Sequence, residues 1–118
     1  MKSILILIND APYGTEKAYN GLRIANQIAK DYPEAEVRIF LMADAVGCAM
    51  KSQVTPNGYY NIERMVHFSI QKGAKVKLCG TCAQARGIHA HMLIEGAEMG
   101  TLAQLTQWVA ESEKQLVF

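Results

Sequence analysis

Two cysteines, Cys79 and Cys82, are separated by two residues in the stretch KLCGTCAQARGI, from Lys77 to Ile88. The pair follows an apolar run and precedes a helical pattern. At that spacing two thiols can close a redox disulfide, supply half of a zinc site, or give one reactive thiolate beside a bystander. Each outcome needs different company elsewhere in the chain.

Thr81 to Gln84 (TCAQ) fits a capping box, with Thr81 as the N-cap and Gln84 reaching back. Cys79 then ends a strand and Cys82 lies in the first helical turn. Unpaired N–H groups there favour a thiolate and lower the pKa of a nearby cysteine. Arg86, four positions past Cys82, adds a full positive charge if it folds back; its spacing suits a solvated helix charge equally well. The third cysteine, Cys48, follows Gly47 in apolar surroundings and reads as a packing residue.

A thioredoxin-like reading fits a C-x-x-C between strand and helix, but that fold also uses a proline well after the motif. Here Pro12, Pro33 and Pro56 all precede it. A zinc reading would recruit His89 and His91, yet H-x-H is unlike structural finger spacing and no second C-x-x-C exists. His89 and His91 read instead as loop residues, and His67 as the polar side of a helix. No metal or other cofactor is expected. The third reading is a nucleophilic thiol that carries sulfur as a persulfide. It needs an accessible cysteine of low pKa, a nearby cation and a sheltered surface.

The elements that would position these groups alternate along the chain. Ser3 to Ile8 is a β-branched and Leu-rich run, read as a strand buried on both faces. The loop Asn9 to Gly14 follows, and Thr15 can cap a helix whose apolar side is Ala18, Leu22, Ala25, Ile28 and Ala29. Val37 to Met42 reads as a second buried strand, Asp44 to Met50 as a short helix, and Ser52 to Tyr60 as an exposed loop. Asn61 can cap a helix carrying Ile62, Met65, Val66, Ser69 and Ile70, with Gly73 to end it. Val76 to Cys79 is the third strand, and Glu98-Met99 a very short one. Thr101 to Gln104 is another capping box, leading a helix with Leu102, Leu105, Trp108 and Val109. Gln115 to Phe118 reads as a last strand.

Such alternation predicts one α/β domain over residues 1–118. Its expected form is a flavodoxin-like, three-layer α/β/α arrangement with a mostly parallel sheet of about five strands. Working loops gather beyond the carboxyl ends of strands in such sheets. The Asn9–Gly14 and Cys79–Cys82 loops both lie there. The Tyr13-Gly14 loop is therefore expected to wall the site from the neighbouring strand end, with N–H groups exposed beside Gly14.

Composition narrows the classes. Twelve basic and eleven acidic residues leave a net charge of +1, with no basic stripe for nucleic acid. The run Ile4 to Ile8 is too short for a signal-peptide core, and nothing approaches the roughly 20 apolar residues of a membrane helix. An odd cysteine count does not make a disulfide scaffold. Together these features predict a cytoplasmic protein with reduced thiols, bound to neither membrane nor nucleic acid. Half the chain is hydrophobic, and Val46, Ala49, Met50, Tyr59 and Tyr60 read as apolar loop residues that need a cover. The segment Asp44 to Tyr60 and the helix after Asn61 are therefore expected to meet another copy.

The chain resembles the DsrE/DsrF-like family, in its YchN-like subgroup, nearly end to end. The resemblance lies in APYGTE (Ala11 to Glu16), RIFLMADAV (Arg38 to Val46), GYYN (Gly58 to Asn61), KLCGTCAQARGI, LIEGAEMG (Leu93 to Gly100) and the closing LVF. It implies the DsrEFH-like three-layer domain, assembled as a trimer or hexamer. Members in sulfur-oxidation and tRNA-thiolation pathways carry sulfur on a cysteine that ends the third core strand, matching Cys79. In the tRNA-thiolation branch the position of Cys82 need not be cysteine, while the pair matching Arg86-Gly87 recurs. The implied function is a persulfide carrier or sulfurtransferase-like protein of an intracellular sulfur relay, with sulfur donor or acceptor proteins as partners. Cys79, Cys82 and Arg86 would form its reactive site, and Tyr13, Gly14 and Thr81 its binding surround. The alternative is an oligomeric thiol protein that binds or regulates without turnover.

Overall fold

Ile4, Ile6 and Ile8 join one apolar cluster, while Leu5 and its neighbour Leu7 join another. They alternate along strand β1, Ser3–Ile8. Successive strand side chains point to opposite faces, so β1 divides the molecule into two layers. In the computed structural model, which describes residues 1–118, the order continues with helix α1 (Lys17–Asp31), β2 (Glu36–Leu41) and a 3-10 helix, Ala43–Ala49. Then come α2 (Ile62–Gln71), β3 (Lys75–Cys79), α3 (Gly80–Ala85), a 3-10 turn at Ala90–Met92, β4 (Ala97–Gly100), α4 (Leu102–Glu111) and β5 (Lys114–Val117).

The five strands form one sheet in the order β4-β3-β2-β1-β5. All neighbours are parallel, as the alternation requires. The chain steps in one direction from β1 to β4, then reverses to place β5 outside β1. Right-handed crossovers put the connecting helices of each direction on opposite faces. Ala18, Leu22 and Ala25 of α1, Ile62 and Val66 of α2, and Ala83 of α3 accordingly bury against the Ile4–Ile6–Ile8 side. Only Leu105 and Trp108 of α4 bury against Leu5 and Phe40 on the other. Phe40 and Trp108 meet edge to face, with centroids 6.1 Å apart.

The layers follow the expected α/β/α plan, but the strand order departs from the 2-1-3-4-5 of flavodoxin itself. There β1 neighbours β3; here β2 stands between them. Element boundaries also move. β2 begins and ends one residue earlier than expected, because Ala43 turns into a left-handed conformation (φ 51) and directs the chain into the 3-10 helix. β5 likewise begins at Lys114, although Phe118 still donates its N–H to Leu7 O at 2.8 Å.

Thr15 does not cap α1. The N-cap is Glu16, without a side-chain bond. The Thr15 hydroxyl accepts Lys17 N–H two residues on and donates to Asp10 Oδ2 at 3.0 Å, a local turn that ends before the helix starts. Asn61 caps α2 by accepting Arg64 N–H at 3.1 Å, and Thr101 and Gln104 close their capping box on α4, both as the sequence predicts. Val46 and Ala49 are wholly buried in their own chain, so the expectation that they need a partner's cover is wrong. The 3-10 helix packs them into the core beside α2 and α3, which a loop reading could not anticipate. No helix is long and apolar enough to cross a membrane.

Candidate functional site

Cys79 occupies the last position of β3, paired with Gly100 of β4. It is half-buried and touches both apolar layers, Leu78 having turned to the α1 side. The chain enters α3 at once. Gly80 makes that turn possible: a Cβ there would stand 3.3 Å from Gly100 O, a backbone atom with little room to yield.

The cap of α3 is Cys79 itself, not Thr81. The Cys79 Sγ accepts Cys82 N–H at 3.3 Å, the bond an N-cap side chain makes. Thr81 is exposed within the first turn, and the expected box with Gln84 does not form. The helix starts one residue after Cys79 because the chain turns directly from strand end into helix at Gly80. α3 has only six residues. Local N–H groups, rather than a long macrodipole, therefore act on the sulfur.

These contacts separate the two thiols electrically. Burial pushes the Cys79 thiol up, but bonds from the Cys82 thiol and from the Cys82 and Thr81 N–H groups outweigh it. With a smaller contribution from the Arg86 charge, they hold Cys79 below the ordinary cysteine value. Cys82 moves the other way: its hydrogen bond to Cys79 and its burial raise it, against a backbone bond from Ala43. Of the two thiols, Cys79 is thus the easier to ionise and Cys82 the harder. Cys48 is fully buried, and burial pushes it up to about 12. It is a core residue, as its context predicts.

Arg86 does not fold back onto Cys79. Its Nε and Nη2 each approach Asp44 Oδ1 at 2.9 Å, and its Nη1 donates to Cys82 O at 3.1 Å. The guanidinium ties α3 to the 3-10 helix after β2 and reaches Cys79 only as a more distant positive charge. Asp44 is the partner that sequence reasoning missed. Its position right after the adjacent strand was the available signal, but nothing in spacing identified the pair. Ala43 was missed as well, because its left-handed backbone has no mark in residue type.

Tyr13 and Gly14 follow β1, which β2 separates from β3, so the neighbouring strand end is not theirs but that of β2, where the Ala43 backbone bonds the Cys82 thiol. Tyr13 instead braces the loop before α2: its hydroxyl donates to Gln53 Oε1 and accepts Ile62 N–H at 3.0 Å. Its ring stacks on Tyr60, 5.8 Å between centroids. Gly14 adopts φ +106, and a Cβ added there would meet nothing within 4 Å. None of the molecule's five cavities is lined by Cys79 or Cys82. His89 and His91 are exposed and stack on each other, 5.9 Å apart. No three His, Cys, Asp or Glu side chains converge to hold an ion.

Comparison with known proteins extends the likeness. The sequence profile of the DsrE/DsrF-like family matches residues 2–118. The chain is 41% identical to Protein YchN of Escherichia coli K12 over 118 residues, the whole of both proteins. It is 39% identical over 115 residues to protein MK0008 of Methanopyrus kandleri, covering 98% of this chain and 93% of that one. The crystal structure of the E. coli YchN protein matches with a TM-score of 0.94, at 41% identity and full coverage of both chains. MTH1491 from Methanobacterium thermoautotrophicum matches at 0.82 over both full lengths with 10% identity, a likeness of fold alone.

Proposed function

The chain belongs to the DsrE/DsrF-like family, and from that premise we propose that it carries sulfur as a persulfide on Cys79. The observation that supports this most is the Cys82 N–H donated to Cys79 Sγ at 3.3 Å. It gives one cysteine of the pair a stabilised thiolate, and the thiolate is the form that attacks sulfur.

In the loading step the Cys79 thiolate attacks the outer sulfur of a donor persulfide. A new S–S bond forms to Cys79, the donor's S–S bond breaks, and the donor leaves as a thiolate that takes up a proton. Two exits are open to the loaded sulfur. An acceptor protein's thiolate attacks the outer atom, and Cys79 leaves as a thiolate. Alternatively Cys82, once deprotonated, attacks the inner sulfur, forms a Cys79–Cys82 disulfide and releases hydrosulfide. A dithiol reductant then restores both thiols. The raised pKa of Cys82 favours the first exit, because its thiolate is scarce near neutrality.

Cys79 is half-buried at the surface between α3 and β4. That position suits exchange with the cysteine of a donor or acceptor protein. The test is transfer. Wild-type protein loaded from a small persulfide donor, then desalted, should pass sulfur to an added thiol acceptor, whereas Cys79→Ser should pass none. Equal transfer by the variant contradicts the proposal. A thiol-dependent binding protein without turnover would instead retain a partner in both forms and transfer from neither.

A further inference from the structure

Ala43 and Ser52 are the two residues other than glycine with positive φ, 51 and 70. A Cβ makes that left-handed region unfavourable, and alanine has no polar side chain to hold it there. Such a conformation persists only where the surroundings impose it. At Ala43 they do so from both sides. Met42 N–H donates to Ile8 O at 3.0 Å, so the end of β2 stays fixed to β1. Ala45 and Val46, which follow in the 3-10 helix, are wholly buried in the core.

The turn so imposed holds Cys82 at two points. The Ala43 N–H bonds the Cys82 sulfur. Asp44 Oδ1 takes Arg86 Nε and Nη2, each at 2.9 Å, and Arg86 Nη1 donates to Cys82 O at 3.1 Å. On its other side Cys82 N–H donates to Cys79 Sγ at 3.3 Å. With β2 and the 3-10 helix each fixed, a relaxed φ at Ala43 cannot keep both its own N–H and Asp44 where they are. The strained backbone and the two contacts on Cys82 are one arrangement.

We propose that Ala43 and Asp44 are positioning residues that keep Cys79 and Cys82 as two thiols and so direct a loaded sulfur outward. Both act through Cys82. A Cys79–Cys82 disulfide needs the two sulfurs about 2.05 Å apart. To reach that distance Cys82 Sγ leaves the Ala43 N–H, whereas the dithiol form keeps the bond. A contact made only in the reduced state stabilises that state and makes the disulfide easier to reduce. The consequence for sulfur rests on the persulfide reading. Internal release forms a Cys82–Cys79 S–S bond and breaks the bond from Cys79 to the outer sulfur. That sulfur leaves with the electron pair, takes up a proton and is released as hydrosulfide. The turn opposes this closure, so transfer to an external thiolate prevails.

Equilibration of the full chain in glutathione redox buffers tests the pair without any sulfur donor. Free thiols are trapped by alkylation and counted by mass spectrometry; Cys48, fully buried, stays out of the exchange. Asp44→Ala removes the Arg86 anchor, and its side chain is 68% exposed, so the fold is retained. Ala43→Val puts a β-branched residue where positive φ is least tolerated. Both should shift the equilibrium toward the disulfide, by about two- to fivefold for the ion pair and up to about tenfold for the N–H bond. A tenfold shift lowers the reduction potential by about 30 mV. Ala43→Gly, which adopts the left-handed turn freely, should stay at the wild-type value. Circular dichroism checks folding, and Asp44→Ala alone decides if Ala43→Val does not fold. An unchanged equilibrium or a shift toward the dithiol in Asp44→Ala would overturn the proposal, as would Ala43→Gly moving as far as Ala43→Val. After loading from a persulfide donor, Asp44→Ala should release a larger share of its sulfur as hydrosulfide than wild type does, and an equal share would also overturn it. Wild type that takes up no sulfur would instead overturn the persulfide reading, with the glutathione equilibrium still deciding the role of the turn.

Discussion

Replacing Cys82 with alanine removes the thiol that donates to Cys79 while leaving the backbone N–H of residue 82 in place. A hydrogen bond to a charged group contributes about 1.5–3 kcal/mol; partial exposure of Cys79 puts the low end in force, which is about one pKa unit. The Cys79 midpoint should therefore rise by about one unit in Cys82→Ala. Reactivity does not simply follow ionisation. A one-unit rise cuts the thiolate fraction about tenfold below both midpoints, but with a Brønsted slope of about 0.4–0.5 each thiolate becomes about threefold more nucleophilic. Alkylation of Cys79 by iodoacetamide should thus slow about threefold at low pH and quicken about threefold at high pH. The two pH–rate curves cross. Cys82→Ser, which keeps a donor, should fall between them. The lowered Cys79 pKa also adds stability that is complete above the ordinary cysteine value, about 8.5, and fades as pH falls through the folded value; Cys82→Ala should shrink that increment. Parallel curves, or a midpoint that falls in Cys82→Ala, would refute the assignment of Cys82 as proton donor.

Arg86→Gln should raise the Cys79 midpoint less than Cys82→Ala does, because the guanidinium is committed to Asp44. A double-mutant cycle with Asp44→Asn, read by urea denaturation, should give a coupling no greater than about 1 kcal/mol for so exposed a pair. Tyr13→Phe should cost about 1–3 kcal/mol in the same assay by stranding the Ile62 N–H, and hydrogen exchange should quicken at Ile62. In native protein at mildly alkaline pH, maleimide should label two thiols, with Cys48 labelled only after denaturation; labelling of Cys48 in the folded state would contradict its burial.

The strands and helices were legible because they rest on local signals. The Ile-Leu alternation of β1, the apolar spacing of α1 and α2, and the caps at Asn61 and Thr101 each need only a few neighbouring residues. Strand order was not legible. β1 beside β3 and β2 beside β3 are equally compatible with the same alternation, and that choice decides whether Tyr13 or Ala43 adjoins Cys79. The cysteine pair marked the site, yet the cap was placed on Thr81, since residue-type preferences for N-caps favour hydroxyls over thiols. The Arg86–Asp44 tie joins residues 42 positions apart and depends on the β2–β3 pairing. Exposure of Leu116 and Val117 was hidden for a similar reason, because a short apolar run reads alike whether its strand is central or at an edge.

The most direct test of the account locates the sulfur itself. Wild-type protein is incubated with a persulfide donor, the free thiols and persulfide are trapped by alkylation, and peptides are mapped by mass spectrometry. One added sulfur atom is expected on Cys79 in wild type and in Cys82→Ser, and none in Cys79→Ser. Sulfur on Cys82 or Cys48 in the wild type, or on no cysteine at all, would contradict it.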